Sequence, residues 1–163
     1  MFLDLDYGTI INLDQVLFIY SNNKVNEDCW SAIVFYKDGS NNFISRIMRN
    51  VDSFIDVLDS QLPFSFVKTN NNYIVNIEAI NQIEFDYSEK EYTGELIDHS
   101  ISIDFSHKFS HIFFEDSNRI TDVSYQFNNS LCIDFDTYKQ GVEILNKLSK
   151  ACNSFKEVNK YGL

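Results

Sequence analysis

The sequence has few of the residues that build redox, metal or disulfide sites. Its 163 residues include three cysteines, Cys29, Cys132 and Cys152, and no two of them form a Cys-x-x-Cys pair. An odd number of widely spaced cysteines predicts reduced thiols in a cytoplasmic protein rather than a disulfide framework. A chain of this length buries enough surface to fold without a disulfide or a structural metal. We therefore expect a cytoplasmic protein with no metal and no cofactor.

Glycine is also scarce, and the common motifs of enzymes are missing. The five glycines occur singly, whereas a phosphate-binding loop needs several glycines at fixed spacing. The sequence contains neither Gly-x-Ser-x-Gly nor His-Glu-x-x-His, which hold a nucleophile and a zinc ion in many hydrolases. Paired carboxylates do not define a general acid and base, because a chain this acidic always offers such pairs. We predict that the protein is not an enzyme.

Long apolar segments and positive charge are lacking as well. The longest apolar runs, residues 16–20 and 32–36, have five residues each, whereas a membrane helix needs about 20. No basic residue precedes Lys24, unlike the charged start of a secretory signal. The chain has 13 Lys and Arg against 24 Asp and Glu, a net charge of −11. Since lipid and nucleic-acid phosphates repel such a surface, we predict no membrane binding and no direct binding to nucleic acid.

The residues that are present predict a folded, strand-rich chain. Hydrophobic residues make up 44% of the sequence and aromatic residues 15%, which excludes a disordered acidic tail. In residues 3–6 leucine alternates with aspartate, and in residues 101–106 isoleucine or phenylalanine alternates with serine or aspartate. Alternation with a period of two predicts antiparallel strands with one buried face.

An internal repeat is visible at two offsets. Residues 10–16 read Ile-Ile-Asn-Leu-Asp-Gln-Val, and residues 74–80, at an offset of 64, read Ile-Val-Asn-Ile-Glu-Ala-Ile. At an offset of 91, the alternating residues of 32–36 match those of 123–127, and polar residues 37–39 and 128–130 follow. Each polar stretch predicts a hairpin turn. The change of offset predicts an insertion at about residues 86–119, although chance similarity between two β-rich halves is the alternative explanation.

Apolar residues at helical spacing follow each predicted hairpin. The first set is Ile47, Met48, Val51, Phe54, Ile55 and Leu58, and the second is Tyr138, Val142, Leu145, Leu148 and Cys152. Ser45 and Asp136 are the predicted N-caps. The predicted fold is therefore α+β, a β-rich antiparallel tandem duplication. Each copy, residues 1–62 and 63–163, ends in an amphipathic helix, and the second carries a β-rich insertion; the two copies could form one compact unit.

The predicted insertion is the segment best suited to bind a partner. It holds eight acidic residues against three basic ones, together with all three histidines, His99, His107 and His111. Carboxylates accept paired hydrogen bonds from arginine, and aromatic side chains form buried anchors at interfaces. The residues that we predict to bind a partner are Asp86, Tyr87, Glu89, Glu91, Tyr92, Glu95, Asp98, Asp104, Glu115 and Asp116.

Two alternatives apply to the same segment. Its charges could be the solvated face of extra hairpins, which keeps strand edges from pairing with other chains. His107 and His111 are four residues apart and would share a face of a helix, but residues 108–110 have the composition of a turn between strands. The histidine spacing therefore does not predict a metal site.

These observations favour a binding protein over a catalyst. The leading hypothesis is an acidic inhibitor that occludes a basic, nucleic-acid-processing protein, in the manner of an immunity or anti-defence protein, with spaced carboxylates imitating nucleic-acid phosphates. The second hypothesis is a structural or regulatory module that assembles with itself, for example as a homodimer, through strand edges or helix faces. A small hydrolase or metal-dependent enzyme that uses the histidines is the third.

Overall fold

The computed structural model describes residues 1–4, 9–26, 29–47, 53–114 and 123–160. In chain order the strands are β1 (Phe2–Asp4), β2 (Ile10–Asn12), β3 (Val16–Asn26), β4 (Cys29–Tyr36), β5 (Asn41–Ile47), β6 (Phe66–Lys68), β7 (Tyr73–Asn76), β8 (Ile80–Glu89), β9 (Leu96–Phe114) and β10 (Val123–Asp134). The helices are α1 (Phe54–Gln61) and α2 (Tyr138–Lys160), and 3-10 turns span Leu13–Gln15 and Ile77–Ala79. The predicted α+β class is confirmed.

The strands form three antiparallel sheets. Sheet A contains β1 and β2, sheet B has the order β5-β4-β3-β7-β6, and sheet C has the order β10-β9-β8. All of the strand pairs in the described residues are antiparallel. Sheet B therefore combines β3–β5, which precede residue 62, with β6 and β7, which follow it.

Each face of sheet B packs against a different layer. Ile19 and Ile74 face a first core that also contains Phe54 of α1 and Leu3 of β1. Phe18, next to Ile19, points to the other side, where a second core joins sheet B to sheet C and to α2. The predicted inward alternation of residues 101, 103 and 105 is confirmed, because all three side chains are buried in this second core.

Aromatic rings fill the space between sheets B and C. Phe18 stacks on Phe35 at 4.3 Å and on Phe105 at 5.6 Å, and the edge of Phe109 meets Phe18 at 5.0 Å between ring centroids. Such pairs stabilise a fold beyond the area that they bury. These rings fix the position of sheet C on sheet B and leave the opposite face of sheet C open.

Both helices begin at residues other than the predicted ones. Ile47 ends β5, where it pairs with Cys29, and α1 begins at Phe54 with Ser53 as its N-cap. The Ser53 hydroxyl accepts a hydrogen bond from the Asp56 amide at 3.4 Å. The prediction of Ser45 as N-cap was wrong, because Ser45 lies within β5 and its backbone pairs with β4.

The second helix is capped one residue later than predicted. The hydroxyl of Thr137, not the side chain of Asp136, accepts a hydrogen bond from the Gln140 amide at 3.2 Å. The Gln140 side chain in turn accepts from the Asp136 amide at 2.8 Å. Together the two hydrogen bonds satisfy the backbone amides of Asp136 and Gln140 at the start of α2.

One predicted hairpin turn is confirmed and the other was wrong. Residues 37–40 connect β4 to β5, and Gly39 has a φ of 87°, which favours glycine. Residues 128–130 instead lie within β10, where the pairing with β9 passes from Asn128↔Phe109 to Ser130↔Asp104. A bulge in the hairpin therefore occupies the position of the predicted turn.

The two 3-10 turns have the same local structure. Asn12 and Asn76 precede them, and each side-chain oxygen accepts a hydrogen bond from the amide two residues later, at 3.2 Å and 3.1 Å. After each turn the next strand has a bulge, between Val16 and Phe18 in β3 and between Ile80 and Gln82 in β8. These features lie 64 residues apart.

Candidate functional site

The side of sheet C that faces away from the second core is polar over residues 82–88 of β8, 98–104 of β9 and 130–134 of β10. In the middle of β8 and β9, side chains such as Ile83, Ile101 and Ile103 point into the second core. The residues that alternate with them, within 82–88 and 98–104, therefore point away from it. On β10, buried Leu131 and Ile133 alternate with outward residues in the same way. We name this surface the open face; it consists of Gln82, Glu84, Asp86, Ser88, Asp98, Ser100, Ser102, Asp104, Ser130, Cys132 and Asp134.

The open face carries negative charge only. Its side chains include the carboxylates of Glu84, Asp86, Asp98, Asp104 and Asp134, with no lysine or arginine among them. The register places them in rows across the sheet, since Ser100 pairs with both Asp86 and Asp134. Neighbouring strands are about 4.8 Å apart, and alternate residues of a strand about 6.8 Å apart. The carboxylates are therefore spread over the face rather than gathered at one point.

Hydrogen bonds across the open face orient several of its side chains. The Ser88 hydroxyl donates to the Asp98 carboxylate at 2.8 Å. The Gln82 amide donates to the Glu84 carboxylate at 2.5 Å. Acceptor oxygens of these carboxylates remain directed at solvent, where they can receive hydrogen bonds from a cationic group.

The turn between β8 and β9 extends the acidic surface beyond the sheet. The Lys90 amide donates to the Glu95 carbonyl at 2.8 Å, and the two side chains form an ion pair. Gly94, with a φ of 66°, closes the turn by donating to the Lys90 carbonyl at 2.9 Å. Tyr92 lies at the tip, 96% exposed. A large exposed ring on an ordered turn is suited to contact a partner.

The structure divides the predicted partner-binding residues into several groups. Asp86, Asp98 and Asp104 lie on the open face, and Glu89, Glu91, Tyr92 and Glu95 lie at or near the β8–β9 turn. Tyr87 is on the opposite side of sheet C. Glu115 and Asp116 lie outside the described residues.

Tyr87 belongs to an aromatic cluster rather than to the open face. Its ring is 4.8 Å from that of Tyr138, which in turn meets Phe85 at 5.9 Å between centroids. The Tyr87 hydroxyl donates a hydrogen bond to the Glu89 carboxylate. That bond stabilises the protonated phenol and raises the pKa of Tyr87 to about 12.

Two carboxylates of the open face were missed by the sequence reasoning. Glu84 precedes the predicted insertion and Asp134 follows it, so both were left out of the candidate site. Strand alternation was the available signal, because Glu84 lies two residues before Asp86, and Asp134 lies two residues after Cys132.

The described part of the predicted insertion belongs to the body of sheet C. Residues 86–89 complete β8, and residues 96–114 form β9, which pairs with β8 on one side and β10 on the other. The predicted turn at residues 108–110 was wrong, because these residues lie within β9. Phe109 is held there by the rings of Phe18 and Phe105.

His99 and His107 lie in different environments, and the side chain of His111 is outside the described part of the chain. The His99 ring lies 6.3 Å from that of Phe135 on the inner side of sheet C, and its Nδ1 is buried with no hydrogen-bond partner in the described residues. His107 is exposed at the β9 bulge, with its Nδ1 2.8 Å from the Ser106 hydroxyl. Within the described ranges, no three His, Cys, Asp or Glu side chains form a group that could hold a metal ion.

Two clefts lie beside α2. The first, of about 280 Å³, separates the turn after β6 from α2 and is lined by polar residues such as Asn70, Gln140 and Lys147. The second, of about 340 Å³, lies where the second 3-10 turn and the start of β8 meet Cys152 of α2; we name it the β8 groove. It is lined by Ile77, Ile80, Ile83 and Cys152, with polar residues at its rim.

Comparisons of the chain with protein-family models, with curated proteins and with solved structures give no match. In the described parts of the chain, neither helix combines the length and the apolar character that a membrane span requires.

Proposed function

We propose that this protein is a non-catalytic, acidic inhibitor that docks the open face of sheet C on a basic, nucleic-acid-processing protein in the cytoplasm. The observation that carries the proposal is the charge of this face, where Glu84, Asp86, Asp98, Asp104 and Asp134 are joined by no cationic side chain. Immunity and anti-defence inhibitors act by occlusion of this kind.

The arrangement of the carboxylates favours a partner that binds phosphates. Each is attached to a strand of a three-stranded sheet, so the backbone fixes their spacing and little entropy is lost on binding. Aspartate side chains are short and lose less rotamer freedom than long ones. A row such as Asp86–Ser100–Asp134 separates two charges by about 10 Å. A rigid array of separated negative charges can occupy a surface that otherwise holds a nucleic-acid backbone.

Charge complementarity and the exposed turn have separate roles in this proposal. Long-range attraction between opposite charges raises the rate of association and is screened by salt. Tyr92, at the tip of the β8–β9 turn, supplies an aromatic contact that would be buried in the complex and would slow dissociation. Asp98 and Glu95 connect the turn to the open face along the start of β9.

The test is a comparison of binding by charge-reversed variants. Glu84, Asp86 and Asp134 are exposed, so their joint replacement by lysine should leave the fold intact. In affinity capture from a lysate of the native host, we expect the immobilised wild-type chain to bind a basic protein at low salt and to release it at high salt. We expect the triple variant to capture none of it, and the purified partner's nucleic-acid processing to be inhibited by the wild type only.

A matched variant separates the site from the net charge. Replacing Asp14, Asp59 and Glu143 by lysine changes the net charge by the same amount on the 13–15 turn and on the two helices. This control should capture the partner as the wild type does. If both triple variants lose or keep the same proteins, the open face is not the binding surface and the proposal fails.

A second candidate function, assembly of the chain with itself, is favoured by the similarity of the two halves. We infer that residues 1–62 and 63–163 arose by duplication. The Asn-capped 3-10 turns and the following bulges, 64 residues apart, support this inference. Each half also has the same order of elements, namely a short hairpin, a 3-10 turn, three long strands and a helix.

A further inference from the structure

We propose that a second copy of this chain adds its β1–β2 hairpin to the outer edge of β8, in the register in which the β6–β7 hairpin pairs with β3 within one chain. The proposal rests on the inferred duplication and deepens the second candidate function, because it names the surfaces and the register of assembly. It does not involve the partner-binding role of the open face.

The contact between β7 and β3 is the template. These strands pair in the register Phe18↔Val75, Ile19↔Ile74 and Tyr20↔Tyr73. The Asn76 amide also donates to the Val16 carbonyl at 2.8 Å in a buried hydrogen bond. The β6–β7 hairpin thus joins a sheet built from the preceding half of the chain.

The β1–β2 hairpin shares two apolar residues with the β6–β7 hairpin, but in the β1–β2 hairpin these residues are not buried. At an offset of 64, Phe2 corresponds to Phe66, and Ile10 to Ile74. Phe66 and Ile74 are 6% and 0% exposed in the first core, whereas Phe2 and Ile10 are 69% and 65% exposed. The other side of the β1–β2 hairpin is buried against α1 through Leu3. One apolar side of this hairpin is therefore open.

The edge of β8 is the corresponding acceptor. Among the residues that the structure describes, β8 pairs only with β9, so its outer edge is unpaired. At the offset of 64, Ile83 corresponds to Ile19, which pairs with Ile74 of β7, and Ile80 corresponds to Val16, whose carbonyl accepts from Asn76. The β8 groove is lined by Ile80 and Ile83 at the start of this strand.

Transfer of the template gives the register between two copies. Ile10 of one copy pairs with Ile83 of the next and fills the apolar groove, and Thr9 pairs with Glu84. The side-chain amide of Asn12 donates to the Ile80 carbonyl, as the Asn76 amide donates to that of Val16. Backbone hydrogen bonds along an exposed edge supply the affinity of such strand addition.

The contact between copies should be weaker than its template. Gln82 and Glu84 occupy the positions that correspond to Phe18 and Tyr20, so the aromatic packing of the template is absent. We therefore expect reversible, concentration-dependent association. The hairpin of one copy and the β8 edge of the next are different surfaces, so the contact closes into a ring or continues as an open chain.

The first test is sedimentation equilibrium of the full chain. Replacing Ile10 by lysine should raise the concentration needed for half-association by at least about tenfold, because the variant no longer buries an isoleucine side chain in the contact. Ile10 is mostly exposed in one chain, so circular dichroism should show the fold unchanged. Phe43→Lys is the matched control, since Phe43 is 59% exposed on the edge strand β5, and it should associate like the wild type.

The second test fixes the register with a disulfide. Directly paired residues have Cα atoms about 4.5–5.5 Å apart, within the range that a disulfide spans. In a background with Cys29, Cys132 and Cys152 replaced by serine, a mixture of the single variants Thr9→Cys and Glu84→Cys should form a covalent dimer on mild oxidation. Thr9→Cys mixed with Asp86→Cys, two residues out of register, should not, and neither should either variant alone.

The outcomes separate this inference from the broader candidate. A chain that stays monomeric at all concentrations overturns both the inference and self-assembly. Association that Ile10→Lys leaves unchanged, or a disulfide that forms equally with Asp86→Cys, overturns the inference and leaves self-assembly through another surface. Glu84 and Asp86 also lie on the open face, so the cysteine variants are used only to fix the register, and the open face is tested separately by the triple lysine variants.

Discussion

Asn12 and Asn76 form a matched pair for measuring one buried hydrogen bond between the two halves. Each side-chain oxygen caps a 3-10 turn, at 3.2 Å and 3.1 Å from the amide that it accepts from. Of these two residues in the described structure, only Asn76 also donates a side-chain hydrogen bond to the other half of the chain, to the Val16 carbonyl at 2.8 Å. Replacing either residue by alanine removes a cap, but only Asn76→Ala also leaves a buried carbonyl without that donor.

The magnitude follows from the two contributions. Loss of a cap costs about 0.5–2 kcal/mol, and this cost should be similar for both variants. An unsatisfied buried polar group costs a further 1–3 kcal/mol, roughly. The free energy of unfolding of Asn76→Ala should therefore be about 1–3 kcal/mol below that of Asn12→Ala. With a urea m-value of about 2 kcal/mol/M, a difference of about 2 kcal/mol moves the midpoint by about 1 M.

The assay is urea unfolding followed by far-ultraviolet circular dichroism in dilute protein, where association between chains makes no contribution. Both variants should unfold with the m-value of the wild type, which shows that the denatured state is unchanged. Equal midpoints for the two variants, or a lower midpoint for Asn12→Ala, would refute the reasoning. Asn76 would then not hold the β6–β7 hairpin on β3.

Two further predictions concern single side chains. In Gly141→Ala, the added Cβ would lie 2.7 Å from the ring of buried Phe135. The variant should be less stable than the wild type, because overpacking costs about 1–3 kcal/mol and exceeds the gain of about 1 kcal/mol in helix propensity. A melting temperature above that of the wild type would contradict this prediction. The hydrogen bond from the Tyr87 hydroxyl to Glu89 raises the pKa of Tyr87 from 10.0 to about 12. The stability that this bond gives the folded state is therefore complete below pH 10 and is lost as the pH rises through about 12. Glu89→Gln should lower that pKa toward 10.0 in an ultraviolet titration, and identical titrations would contradict the assignment.

The sequence predicted strands well where one side of the strand is buried. Residues 101–105 alternate because one side of β9 packs in the second core. The turn at Asp38–Gly39 could be predicted, because the dipeptide Asp-Gly between two apolar runs is typical of a turn that needs the positive φ found at Gly39. The start of α1 could not be predicted from the sequence. Ile47 fits the apolar spacing of the helix, but its pairing with Cys29 places it in β5. Long-range pairing determined that boundary.

The candidate site was predictable residue by residue but not as a surface. Asp86 and Asp98 were found from local charge, yet the open face is defined by register across three strands. Asp134 joins it through pairing with Ser100, which no local pattern reveals. Tyr87, next to Asp86, lies on the other side of the sheet, because alternation places neighbours of a strand on opposite faces.

The presence of β7 in sheet B also determines when the first half can finish folding during synthesis. Its central strand β3 pairs with β4, made soon afterwards, and with β7, which ends at Asn76. Until that residue has left the ribosome, one edge of β3 has no partner in its own sheet. A nascent chain of 62 residues therefore exposes a strand edge and an uncovered part of the first core, and both favour contacts with chaperones or with neighbouring nascent chains.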